Sequence, residues 1–149
     1  MKPLRIAASV IDEARRFFEE RGASGLEGTA MIAHHEKTDA TRLVIPDQLA
    51  NRAAWVEVTD KGKLDLAESL ALAERYVARI HSHPCEAFHS TTDDENPALT
   101  HEGALSIVAP YFGLGLRRGF DAAAVYLLRA GQWLELPPGS ERQRWIVVS

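Results

Sequence analysis

Short apolar, β-branched runs recur along this chain, separated by Gly, Pro or Asp: "TRLVIP" from Thr41, "AAWVEVT" from Ala53, "YVARIHS" from Tyr76, "ALSIVAP" from Ala104, "AAAVYLLR" from Ala122, "QWLELP" from Gln132 and "RWIVVS" from Arg144. A run so short, bounded by residues that break regular pairing, reads as a strand. "LEGTAMIAHH" from Leu26 reads the same way, and its short links to the next two runs suggest an antiparallel meander. Two stretches carry the helical period instead. Val10, Ile11, Ala14, Phe17 and Phe18 recur at helical spacing up to Gly22, and Ser9 with Asp12 resembles a capping box at the start. "LDLAESLALAERY" from Leu64 sets apolar residues among strong helix formers and predicts a second helix packed on the sheet. The expected fold is α+β, or a three-layer α/β/α-like arrangement, with two main helices against a mixed, mostly antiparallel sheet.

With 149 residues, 46% of them hydrophobic, the chain can bury one substantial core and is too short for two ordinary domains. A single domain over 1–149 is expected. The net charge of −4 comes from mixed signs with no basic stripe, which gives a nucleic-acid partner no electrostatic support. Eighteen apolar residues never follow one another, and the start, "MKPLRIAASVIDEARRFF", is broken by charges. No membrane span and no export signal are read from it, so a cytoplasmic protein is expected. One cysteine makes no internal disulfide, which fits a reducing compartment.

The chemistry is concentrated in "ARIHSHPCEAFHSTTDDENPALT", residues 78 to 100. Residues two apart on a strand share a face, so His81 and His83 aim both imidazoles at one point near the strand end. Pro84, without an N–H, ends the ladder and lets the following loop fold back. That loop brings a carboxylate, Asp93 or Asp94, into reach. Two imidazoles and one carboxylate, with water in the fourth place, describe a catalytic rather than a structural zinc site.

"HSHP" followed by "STTD" resembles the JAMM motif, His-x-His-Pro then Ser-x-x-Asp, of the JAB/MPN/Mov34 metallopeptidases. The resemblance implies a cytidine-deaminase-like/MPN core and one catalytic Zn2+. It implicates His81, His83 and Asp93 as zinc ligands, Ser90 as oxyanion helper and Glu27 as general base. Glu27 opens "EGTAMIA" as the family's Glu opens Glu-x-x-Gly-x-x-Gly, and "DDENPALTHEGALSIVAPYFG" is also similar to the bacterial members. The chain departs from the pattern in two places. Ala30 and Ala33 stand where glycines are usual, and the loop from His83 to Ser90 is one residue short, so Thr91 with Asp94 is the alternative pairing to Ser90 with Asp93. Glu20, on the first helix, is the weaker candidate for the base.

The resemblance further implies cleavage after the C-terminal glycine of a ubiquitin-like protein, for deconjugation or precursor maturation. The minimal domain looks like the stand-alone bacterial JAB peptidases encoded beside E1-like and E2-like proteins in conjugation operons, antiphage defence systems among them. Maturation of a sulfur-carrier precursor is the alternative within this class; from another class, MPN domains also serve as zinc-free scaffolds. Other eye-catching residues have plainer readings. Cys85 with His89 is a poor match to a thiol-protease pair, with a thiolate capping the zinc as the other option. His34 and His35 read as surface residues, His101 as structural or near a substrate channel, and Trp55, Trp133 and Trp145 as core or edge packing.

Overall fold

The computed structural model describes residues 2–51, 55–88 and 99–149. In chain order the elements are β1 (Leu4–Ile6), α1 (Ala8–Gly22), β2 (Thr29–His35), β3 (Thr41–Val44), β4 (Gln48–Asn51), β5 (Trp55–Val58), α2 (Asp60–Ser69), β6 (Glu74–Ser82) and β7 (Leu105–Ala109). Two 3-10 segments follow, Tyr111–Arg118 and Phe120–Ala122, then β8 (Ala124–Arg129), β9 (Gln132–Glu135), α3 (Ser140–Gln143) and β10 (Ile146–Val148). The main sheet runs β3-β2-β6-β7-β8-β9. All its pairs are antiparallel except β6 with β7. The fold class is therefore the expected α+β with a mixed, mostly antiparallel sheet, and no helix among the described residues is long and apolar enough to cross a membrane.

Strand alternation divides the sheet into two faces. Ala30 and Ile32 of β2, Ala78 and Ile80 of β6, Ile107 of β7 and Val125 of β8 point toward α1, where Val10, Ile11, Ala14 and Phe18 complete the main core. Each large aliphatic or aromatic side chain fully enclosed there stabilises the fold by about 1.5–3 kcal/mol. The other face carries a smaller cluster of Met31, Leu99, Ala104 and Leu128, covered by Leu66 of α2, Tyr76 and Trp133.

Several local expectations change. The first helix has Ala7 as its N-cap and no side-chain cap, so Ser9 and Asp12 form no capping box. The chain instead enters α1 directly from β1, with Ala8 N–H donating to Ser149 O beside the parallel β1–β10 pair. The second helix starts and ends earlier than its periodicity suggests. Thr59 caps it, its hydroxyl accepting from Gly62 N–H at 3.0 Å, and Leu70 is already extended. Glu74 accounts for the early end: its carboxylate accepts from Ala71 N–H at 2.8 Å and from Arg42, tying the turn down. Leu64 and Leu72, two apolar residues of that run, are exposed, and α2 reaches the core through Leu66. The meander also stops at β3, because β5 pairs with β4 in a separate two-stranded sheet.

Candidate metal and catalytic site

The site forms where the end of β6 runs beside the start of β2. Thr29 pairs with His81, and Ser82 N–H donates to Gly28 O at 3.0 Å, so the antiparallel register continues past the strand end and sets Glu27 opposite His83. Opposed residues in an antiparallel ladder project to the same face. Glu27, Thr29, His81 and His83 therefore share the face turned away from α1. Glu27 and His83 are each 6% exposed and His81 is 2% exposed, so the carboxylate and the two imidazoles on this face are all withdrawn from bulk water.

The imidazoles converge. Their Nε2 atoms lie 3.2 Å apart, and the rings meet edge to face with centroids 5.0 Å apart. Two nitrogens held by one tetrahedral zinc at about 2.0–2.1 Å stand about 3.3 Å from each other, so the pair fits that ion with almost no movement. The same spacing accommodates one N–H···N bond between neutral rings. Phe88 sets its ring edge to face against His83 at 4.7 Å between centroids, limiting how far that imidazole can swing.

The backbone around Glu27 is secured from both sides. Arg21 Nε donates to Glu27 O at 2.8 Å, Gly28 N–H donates to Ser82 Oγ at 2.9 Å, and Thr29 N–H donates to the Gln48 side-chain oxygen at 2.8 Å. Gln48 returns a bond from its amide nitrogen to Thr29 O at 2.9 Å, so one side chain satisfies both polar groups where β3 no longer pairs with β2. Burial pushes the Arg21 guanidinium below its ordinary pKa, and its charge lies over the Phe17 ring. Gly28 is required by crowding: a Cβ there would stand 2.8 Å from Phe17 Cε2 and 3.0 Å from Phe18 Cδ1.

His83 is held by its own main chain. Its N–H donates to Ala109 O at 2.9 Å, and its carbonyl accepts from Phe112 N–H at 2.7 Å. Phe112 and Tyr111 both have positive φ, 53° and 55°, a conformation that non-glycine residues adopt only when their surroundings hold them there. The bonds to His83 O and, from Tyr111 N–H, to Cys85 O at 2.8 Å supply part of that hold.

Of the residues predicted from sequence, Glu27, His81 and His83 are brought to one face of the sheet, where the two imidazoles converge. Ser90 and Asp93 lie outside the described residues, as do Thr91, Asp94 and His89. Among the described residues no three His, Cys, Asp or Glu side chains gather into a metal-holding group. Glu20 lies on α1, away from this strand pair. Cys85 is exposed on the loop after His83. His34 pairs with Asp39 at 2.6 Å, and His35 Nδ1 accepts from the Lys37 and Thr38 N–H groups, so both serve the β2–β3 turn. His101 has its pKa lowered by burial first and by the nearby Arg75 charge second. Ser82, Gln48 and Arg21 escaped the sequence reading. Ser82 had the clearest signal, since a residue between two candidate ligands on a strand must face the opposite side, here toward the buried end of β2.

Over 64 aligned positions that cover 41% of the chain, the sequence is 48% identical to a Sinorhizobium fredii protein named "Probable metalloprotease y4jG". The match spans 38% of that protein's length. No family model matches the chain.

Proposed function

We propose that this chain is a zinc-dependent peptidase of the JAMM type, acting after the C-terminal glycine of a ubiquitin-like protein. The observation that carries the proposal is the common face of Glu27, His81 and His83, with two Nε2 atoms 3.2 Å apart. The similarity to a probable metalloprotease supports the same reaction class. His81 and His83 would hold the ion together with Asp93. Zinc bound there supplies Lewis-acid polarisation of a carbonyl and acidifies water to a pKa of about 7.

The chain's own groups do the remaining work. Glu27 takes the proton of the attacking water and hands it to the leaving amine, and Ser90 donates its hydroxyl to the developing oxyanion. The two-stranded sheet of β4 and β5 stands beside the site through Gln48 and leaves strand edges unpaired among the described residues, where an extended tail can add by backbone hydrogen bonds. Glycine at the end of such a tail passes a crowded centre that a side chain would not.

The partners this reading names are a ubiquitin-like modifier, its conjugates, and the E1-like and E2-like proteins of a bacterial conjugation system. The test is hydrolysis of a ubiquitin-like protein fused through its terminal glycine to a reporter, with wild type and Glu27→Ala compared at equal zinc. Cleavage by wild type alone supports the reading. Equal cleavage by both removes Glu27 as the base, and a zinc-loaded wild type that cuts no such fusion removes the substrate class. Cleavage of a sulfur-carrier precursor without action on isopeptide conjugates would place the enzyme in biosynthesis instead.

A further inference from the structure

A cavity of about 660 Å³ lies next to the candidate site, on the far side of the loop that follows His83. Ala87, on that loop, lines the cavity together with Pro110 and Tyr111, and Tyr111 N–H is bonded to Cys85 O of the same loop. Most of the remaining lining is small or apolar, including Leu114 and Ala122 to Ala124, with Arg118 and Glu135 at exposed positions. Arg142 also lines it and is only 2% exposed.

Arg142 is the most buried charge among the described residues, and the structure uses only part of it. Its Nε donates to Leu136 O at 2.9 Å, and its guanidinium carbon sits 5.9 Å from the Phe120 ring centroid. Nη1 is buried and meets no hydrogen-bond acceptor. Asp121 and Glu135 are near enough to favour its charge, yet neither makes an ion pair with it, and burial still lowers its pKa. A buried guanidinium with a donor to spare, at the wall of a cavity that small and apolar side chains share with Arg118 and Glu135, is completed by a planar anion with two oxygens.

We infer that this cavity is a recognition pocket for a carboxylate side chain, Glu or Asp, in the polypeptide that crosses the site. A cavity of this size takes a whole residue rather than a bare ion, and its small-residue walls suit the aliphatic stem of an acidic side chain. One buried guanidinium matches a single-charge carboxylate better than a phosphate dianion. The pocket's role as a substrate subsite rests on the peptidase reading; its selectivity for a carboxylate does not.

Calorimetric titration with acetyl-Ala-Glu-Ala-amide and acetyl-Ala-Gln-Ala-amide tests this without any cleavage. Wild type should bind the Glu peptide about tenfold more tightly, the difference expected for one charge-assisted pair. Arg142→Met, which keeps the bulk and removes the charge, should bind both peptides equally. Ala122→Phe leaves Arg142 in place and fills the cavity, and it should bind neither; it decides the matter if Arg142→Met does not fold. Equal affinity of wild type for the two peptides, or a Glu preference that survives in either variant, overturns the inference. So does displacement of the Glu peptide by an equal concentration of inorganic phosphate. Failure of the fusion-cleavage assay leaves this binding result untouched, so the two readings fall separately.

Discussion

Gly28 and Ser82 are bonded to each other twice: Gly28 N–H donates to Ser82 Oγ at 2.9 Å, and Ser82 N–H donates to Gly28 O at 3.0 Å. Ser82 separates the two histidines in sequence, and Gly28 follows Glu27. This pair of hydrogen bonds is what sets the carboxylate and the imidazoles in register.

Ser82→Ala removes the buried acceptor of Gly28 N–H and leaves that donor without its partner. A loss of about 1–3 kcal/mol is expected. For a chain of this size that lowers Tm by roughly 2–4 °C per kcal/mol, measurable by calorimetry. Hydrolysis should fall further than stability accounts for at temperatures where the variant is fully folded, because Glu27 loses its register.

Gly22→Ala tests the support behind His83. A Cβ at Gly22 would stand 2.4 Å from Phe112 Cβ, and Phe112 N–H is bonded to His83 O. Overpacking of this kind costs about 1–3 kcal/mol. Displacement of Phe112 should also weaken zinc retention against a chelator, whereas Gly131→Ala, in a turn with open space around it, should leave zinc retention unchanged.

Much of this architecture is legible in residue pattern alone. Alternation in "YVARIHS" locates β6, the short apolar run "ALSIVAP" locates β7, and the spacing of His81 and His83 puts both on one face because a strand's period is two. The end of α2 is not legible, since local propensity favours helix through Leu70 to Ala73 while Arg42, far away in sequence, bonds Glu74 and holds the turn. β1 is not legible either, for a similar reason. Leu4–Ile6 is a strand only through its pairing with Ile146–Val148 at the other end of the chain. Gln48 likewise shows no local sign that it would stand in for a missing strand beside Thr29.

Acid stability should depend on Glu74. Hydrogen bonds from Arg42 first, and from Ala71 N–H second, hold its carboxyl from 4.5 down to about 2. A depressed folded pKa stabilises the fold above the unfolded value and loses that contribution as pH falls from about 4.5 toward about 2. Glu74→Gln should flatten unfolding free energy across this window while leaving the curve's shape above pH 5 unchanged. An identical acid limb in both proteins would show that Glu74 does not drive it.

Cys85→Ser should retain wild-type hydrolysis. The thiol is exposed on the loop after His83, and Glu27, not a cysteine, is assigned the proton transfer. A loss of a hundredfold or more would instead indicate nucleophilic catalysis by the thiol.

Zinc stoichiometry by native mass spectrometry, on wild type, His81→Ala, His83→Ala and Glu27→Gln, tests the central claim most directly. One ion per wild-type chain, one in Glu27→Gln and none in either histidine variant is the expected pattern under the proposal, which gives Glu27 the protons and the histidines the metal. A wild-type chain that binds no zinc, or histidine variants that keep it, would contradict the assignment of His81 and His83 as a metal centre.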